Sequence, residues 1–353
     1  MRHKNKESGV CMGDCSSRIP QALSNHRYLT MRPKKITIIK LTAAMFAGTL
    51  LTVALTTRGQ WENQVLKILM QGPLDASDPR LLEHVRQSYL VPPSVEPYNL
   101  REDSNLPTDK KYMSFRNSTL GWQKLHRLVV ALFEGQPPGF FVEAGALDGE
   151  YLSNTVYLER EKGWSGLLVE PDGDMFALLL TKQRRAWASH CCLATSIFPS
   201  QTTLVKMVKN SETAVGYRAQ NMLVESIFNL GRPVGYQTYE QVQCLPLQTL
   251  LLALGVTHVH FVSLDTEGVE EGVARAFLGG GVAVDVWLVE HHNPFTAMDS
   301  PHEDFIQMFV DQGYSLYTII IDLQPFNYVF VRRDSQLHDA AFANRPAEFS
   351  GAS

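Results

Sequence analysis

The stretch FFVEAGALDGEYLSNTVYLEREKGWSGLLVEP, Phe140 to Pro171, decides how this chain is read. GFFVEAG reads as a short buried strand. LSNTVYLEREKG reads as a helix stopped at Gly163, and SGLLVEP as a second strand. Short apolar runs that alternate with helical patterns predict βαβ units and a parallel sheet covered on both faces.

In open α/β sheets, ligands bind beyond the carboxyl ends of the strands. Glu143 closes the first strand and Glu170 the second. Gly145 lets backbone approach a ligand closely, and Gly149 stands just before the next helix. The spacing E-x-G-x-x-x-G differs from the G-x-G-x-x-G of pyrophosphate binders. An acid at Glu143 repels a pyrophosphate and suits an amino group. An acid at Glu170 suits the two hydroxyls of a ribose. An amino group and a ribose without phosphates describe S-adenosylmethionine. The bland reading is that acids exposed at strand ends are common, and both are expected here to be exposed.

The alternation extends outward from this stretch. GWQKLHRLVVALFEG precedes it as an amphipathic helix. PDGDMFALLLTKQRR follows as a helix with acids first and bases last, which suits the helix dipole. ASHCCLATS is expected as a third strand. Residues 200–243 look irregular apart from the strand-like TTLVKMV. PLQTLLLALGV, HVHFVSLDTEG, VEEGVARAFLGGG, AVDVWLVEHHN and PHEDFIQMFVDQGY continue the alternation of helix and strand. YSLYTIIIDLQPFNYVFVRR reads as two strands joined by a turn at 324–327. The fold expected is α/β: a doubly wound, mainly parallel, Rossmann-like sheet of the class I methyltransferase type with an antiparallel closing edge strand.

FVEAGALDGEYLSNTVYLEREKGWSGLLVEP and the later SLDTEGVEEGVARAF together resemble the FkbM-type methyltransferase domain family, over about Leu120 to Arg333. The resemblance implies that Glu143, Gly145, Asp148, Gly149 and Glu170 hold S-adenosylmethionine as cofactor. Asp265 and Glu267 follow the fourth strand; Glu290, His291 and His292 follow the fifth. Those strand ends adjoin the cofactor cleft in such folds, which makes Asp265, Glu267 and His291 the catalytic candidates. His291 is placed as a general base. Asp265 with Glu290 or His291 could alternatively bind a divalent cation. Neighbouring side chains on a strand face opposite ways, so no metal is assigned. The bland reading has Asp265 capping a helix and the histidines bonded to loops.

Charge and hydropathy add a second theme. The net charge of −4 argues against a nucleic-acid partner. Residues 1–35 nevertheless carry eight Lys/Arg against Glu7 and Asp14. Directly after them, ITIIKLTAAMFAGTLLTVALTT, Ile36 to Thr57, is long enough to cross a membrane and has Lys40 as its only charge. Basic residues before the span predict a cytosolic N-terminus and a lumenal body. The domains expected are a basic cytosolic tail (1–35), a transmembrane signal anchor (36–57) and a Pro-rich lumenal stem (58–115). The methyltransferase-like domain (116–335) and a C-terminal tail (336–353) follow.

Asn117 opens the sequon NST and is a glycosylation candidate if lumenal. Cys11 and Cys15 lie in the tail, either palmitoylated or unmodified. Cys191 and Cys192 are expected as small buried side chains, with a bridge from one of them to Cys244 as the other possibility.

Tail, single anchor, stem and domain together are similar to Star-like proteins of insects. That resemblance implies a type II membrane protein of the endoplasmic reticulum, Golgi or endosome. It would assist export of a membrane-anchored growth-factor-type client of the epidermal growth factor class. The alternative is an S-adenosylmethionine-dependent O-methyltransferase acting on a glycan or small molecule of the secretory pathway.

Overall fold

The computed structural model describes residues 33–70, 73–100, 116–208, 218–227, 236–293, 300–321 and 325–350. The chain divides into two units, residues 1–61 and 62–353.

The first unit contains most of helix α1 (Pro33–Leu69). Within α1, Thr37–Lys67 is long and apolar enough to cross a membrane. Its apolar side chains, such as Ile38, Phe46 and Leu55, are exposed. Its threonines bond back to their own helix: Thr52 Oγ1 donates to the Gly48 carbonyl at 2.8 Å and Thr56 Oγ1 to the Thr52 carbonyl at 2.9 Å. A hydroxyl satisfied within its helix carries little cost into hydrocarbon. The helix runs on past Thr57, where the expected span ended.

The second unit is built on an eight-stranded sheet. Its strands are β1 (Leu90–Val91), β2 (Phe140–Ala144), β3 (Ser165–Val169), β4 (Trp187–Ser189), β9 (His258–Leu264), β10 (Ala283–His291), β11 (Tyr314–Ile320) and β12 (Phe326–Arg332). They lie in the order β1-β4-β3-β2-β9-β10-β12-β11. β4, β3, β2, β9 and β10 are mutually parallel, and β12 is antiparallel to both of its neighbours. This is a class I methyltransferase-like α/β fold with a mixed sheet. The antiparallel strand expected at the edge is instead interior. The hairpin returns β12 into the gap beside β10 and leaves β11 at the rim.

Helices cover both faces. They are α3 (Arg116–Phe133), α4 (Val156–Lys162), α5 (Gly173–Thr181), α6 (Leu247–Leu254), α7 (Glu270–Phe277), α8 (Glu303–Asp311) and α9 (His338–Ala343). Alternate strand residues feed two cores. Val142, Val169, Trp287 and Val289 face one; Phe141, Leu168, Val286 and Leu288 face the other.

Three segments differ from expectation. The expected third strand breaks at His190 and Cys191, and only β4 stays in the main sheet. β5 (Cys192–Leu193) starts a second sheet with β6 (Ser200–Val208), β7 (Met222–Leu223) and β8 (Tyr236–Leu245), in the order β5-β8-β6-β7. β8 lies in the region that looked irregular, because Tyr236 to Gln241 leave one or both faces in water and show no apolar run. A Cys192–Cys244 disulfide joins β5 to β8, and Cys191 stays a buried free thiol.

The expected stem is also packed in part. α2 (Pro79–Ser88), capped by Asp78, buries Leu81 and Val85. Arg86 Nε donates to the Ala253 carbonyl of α6 at 3.0 Å, and β1 pairs antiparallel with β4. Three apolar residues, Leu81, Leu82 and Val85, on ten positions make too short a pattern to reveal burial in sequence. The expected C-terminal tail likewise folds, with α9 and a buried Phe349 against the core.

Candidate cofactor cleft

The carboxyl ends of β2, β3 and β9 open onto one cleft. Its lining includes Glu143, Gly145, Leu147, Glu170, Asp265 and Glu267. At its head, Gly145 has φ +83°, and a Cβ there would lie 1.8 Å from the Asp265 carbonyl oxygen. Only glycine lets the ends of β2 and β9 come this close. Asp265 N also donates to the Ala144 carbonyl at 3.1 Å, which fixes the two turns together.

Both strand-end acids are buried, against the expectation of exposure: Glu143 is 4% and Glu170 5% exposed. The following turns fold over them to use their oxygens. Glu143 Oε2 accepts from Ser153 Oγ at 2.8 Å and Thr155 Oγ1 at 2.5 Å, and Oε1 accepts from Asn154 N at 2.8 Å. Burial nevertheless pushes its carboxyl up, with the Arg184 guanidinium opposing. Glu170 Oε2 accepts from Leu147 N at 2.8 Å and Oε1 from Asp172 N at 2.7 Å. Burial pushes Glu170 up to about 8 despite those two donors. Each of its oxygens has one backbone donor and keeps capacity for another.

Gly149 sits at φ +77° in the same turn, its missing side chain leaving room for Leu179. Asp148 points into its own turn. Its Oδ1 accepts from Glu150 N at 3.0 Å and Tyr151 N at 2.7 Å, and Lys182 Nζ lies 3.6 Å from Oδ2. It holds the turn and is not among the residues lining the cleft, because a short acid in this position bonds the backbone just ahead of it.

Asp265, Glu267 and Glu290 converge on the adjoining part of the cleft, each offering a carboxylate oxygen within 4.8 Å of the others. Burial, then Glu270 and Glu143, push Asp265 up to about 7. Burial and the neighbouring acids raise Glu267 and Glu290 strongly as well. Glu267 has φ +56°, Leu147 +51° and Leu152 +57°. Three left-handed non-glycine residues lining one cleft mark it as a place where the fold stores strain.

His291 does not join them. It follows Glu290 on β10 and turns to the other side of the sheet, stacking on Phe305 at 4.0 Å. Alternation along a strand separates the two. Asn117 lies on α3, and its side chain is outside the described residues. The structure adds residues that the sequence did not single out. Asn154 donates through Nδ2 to Ser263 Oγ at 3.1 Å, while its buried Oδ1 has no hydrogen-bond partner among the described residues. Arg218 and Asn221 reach the cleft from the segment just before β7 and hold Asp172 at 3.2 and 2.7 Å. No local pattern could have found them, since sheet pairing alone carries them there.

Residues 143–316 match the family described as the Methyltransferase FkbM domain. No curated protein matches the chain significantly. Among solved structures, a methyltransferase FkbM from Methylobacillus flagellatus is similar at 13% identity, covering 71% of this chain and 58% of that one, with a TM-score of 0.32. A TehB-like SAM-dependent methyltransferase from Corynebacterium glutamicum shares 13% identity over 62% of this chain and 97% of that one, TM-score 0.29. A geranyl diphosphate C-methyltransferase from Streptomyces coelicolor, complexed with Mg2+, geranyl diphosphate and S-adenosyl-L-homocysteine, shares 11% over 72% and 97%, TM-score 0.31.

Proposed function

We propose that the cleft binds S-adenosylmethionine and that the chain is an O-methyltransferase anchored in a membrane. One observation carries the reading: Glu170, buried at the end of β3, gives each oxygen one backbone donor and retains capacity for a pair of vicinal hydroxyls. The residues around it fit the same group. Glu143 Oε1, with a single donor, suits an ammonium group. The unpartnered Asn154 Oδ1 awaits a donor, and Leu147, Leu193 and Leu223 supply apolar walls for a purine.

When bound, the cofactor supplies an electrophilic methyl group. The chain's own part is to hold the acceptor and move its proton. Asp265, pushed up to about 7, is poised to take a proton from an acceptor hydroxyl near neutral pH. Trp122, Leu125 and Leu288 line the neighbouring space and would exclude water from it. The acceptor class is a hydroxyl of a glycan or small molecule of the secretory pathway.

Two other observations favour a second reading. α1 is apolar enough to anchor the chain, and the Cys192–Cys244 disulfide suits an oxidising compartment. S-adenosylmethionine is made in the cytosol. On this reading the chain is a Star-like type II membrane protein that escorts a membrane-anchored growth-factor-type client out of the endoplasmic reticulum, and the cleft is dispensable.

Calorimetry of the full chain in detergent separates the two. Methyl transfer expects saturable binding of S-adenosylmethionine, weakened about 5- to 150-fold in Glu170→Gln, where a ribose hydroxyl loses its acceptor oxygen. Absence of saturation at millimolar cofactor would remove the enzyme and leave the escort.

A further inference from the structure

We propose that His291, His302 and Glu271 form a binding site for a divalent cation of the zinc type, separate from the cofactor cleft. His291 comes from the end of β10, Glu271 from the first turn of α7 and His302 from the residue before α8. Both histidines are 5% exposed. His291 Nε2 lies 2.8 Å from His302 Nδ1, and the rings are 17° from parallel. One ligand atom from each imidazole and one carboxylate oxygen of Glu271 lie within 4.8 Å of one another.

On a tetrahedral zinc with zinc–nitrogen bonds of about 2.0–2.1 Å the two nitrogens would stand about 3.3 Å apart, so the imidazoles open by about half an ångström from their hydrogen-bonded contact to admit the ion. The carboxylate closes in by a rotamer change, since among the described residues Glu271 is held only by its ion pair at 2.7 Å with Arg275, whose side chain is largely in solvent. Two imidazoles and one carboxylate are the donor types that select zinc over magnesium or calcium. Thr195, Glu225 and Asp304 line the same cavity of about 530 Å³. They offer further oxygen ligands, and the space admits water. The main chain of His302 is itself fixed, with its N–H donating to Tyr328 Oη at 3.0 Å.

The alternative is a plain hydrogen bond between two neutral imidazoles, one N–H to one lone pair, which needs no ion. Another candidate, His258, His260 and Asp285, is weaker. There Asp285 is engaged by Arg332 at 3.2 Å, and the side chain of His258 is 45% exposed. It serves as the control. A metal at His291 would tie the ends of β10, α7 and α8 together. It would thereby steady the strand end that also carries Glu290 into the cofactor cleft.

The test uses the full chain in detergent, stripped by a chelator and titrated with zinc chloride. The wild type is expected to take up a saturating zinc ion and to melt at a higher temperature when loaded. His302→Ala and Glu271→Gln are expected to bind at least about 10-fold more weakly, the lower end of what even supporting residues of metal sites lose. His258→Ala is expected to bind as the wild type does. Glu271 is partly exposed, so its variant decides the matter should His302→Ala fail to fold. No saturable zinc in the wild type, equal affinity in Glu271→Gln, or a loss that follows His258→Ala would each overturn the site.

Discussion

Replacing Gly145 with alanine probes the contact on which the cleft is built. Two costs add. The residue stands at φ +83°, and a left-handed backbone costs a non-glycine residue roughly 1–2 kcal/mol. The new Cβ would also lie 1.8 Å from the Asp265 carbonyl oxygen, which belongs to backbone and cannot rotate away. Forcing a methyl group into a packed site costs about 1–3 kcal/mol through backbone shifts. The sum is roughly 2–5 kcal/mol, a large part of the ~5–15 kcal/mol that holds a typical domain together. Gly255 supplies the control. It has φ +72° at the end of α6 and nothing within 4 Å of where a methyl would stand, so Gly255→Ala carries the first cost alone. The difference between the two variants isolates the clash at about 1–3 kcal/mol, or roughly 2–12 °C in thermal midpoint for a domain of this class. Circular dichroism of both full-length variants, in one detergent at one pH, measures it. Gly145→Ala should also lose cofactor affinity, because relieving the clash displaces Asp265. If the two variants melt together, the ends of β2 and β9 are not locked to each other.

Three further outcomes follow from other parts of the chain. Cys244→Ser opens a loop spanning 52 residues, and loop-closure entropy then predicts a loss of about 4 kcal/mol, read as a lower urea midpoint that reductant no longer changes. Glu170 is raised from 4.5 to about 8 in the folded chain, so its contribution is fully present below the lower value and is lost as pH rises through the upper one. The ligand-free wild type should therefore lose more thermal stability than Glu170→Gln between about pH 5 and about pH 8, and a steeper fall in the variant would contradict the shift. Synthesis in microsomes should give a glycosidase-sensitive species that Asn117→Gln abolishes, while its absence in the wild type would count against a lumenal body.

The sequence by itself determined most elements of the main sheet and their order. Glycine-bounded apolar runs such as Phe140–Ala144 and Ser165–Val169 can be little else than buried strands, and strands separated by helices must pair in parallel. The long apolar helix near the N-terminus was equally legible, since an uninterrupted apolar span depends on no partner. Glu143, Glu170, Asp265 and Glu267 could be picked out because strand ends place them at the cleft whatever the rest of the fold does. What only the tertiary structure decided involves residues far apart in the chain. The burial of Glu143 and Glu170 depends on turns that fold back over them. The choice of Cys192 over Cys191 depends on β5 pairing with β8. The packing of α2, the interior place of β12 and the meeting of His291 with His302 all arise between segments. Their local patterns were too short or too polar to announce a partner. Alternation along β10 sends Glu290 and His291 apart, but what each one meets there is set by β9, α8 and the turn after Glu267, and no single segment encodes that.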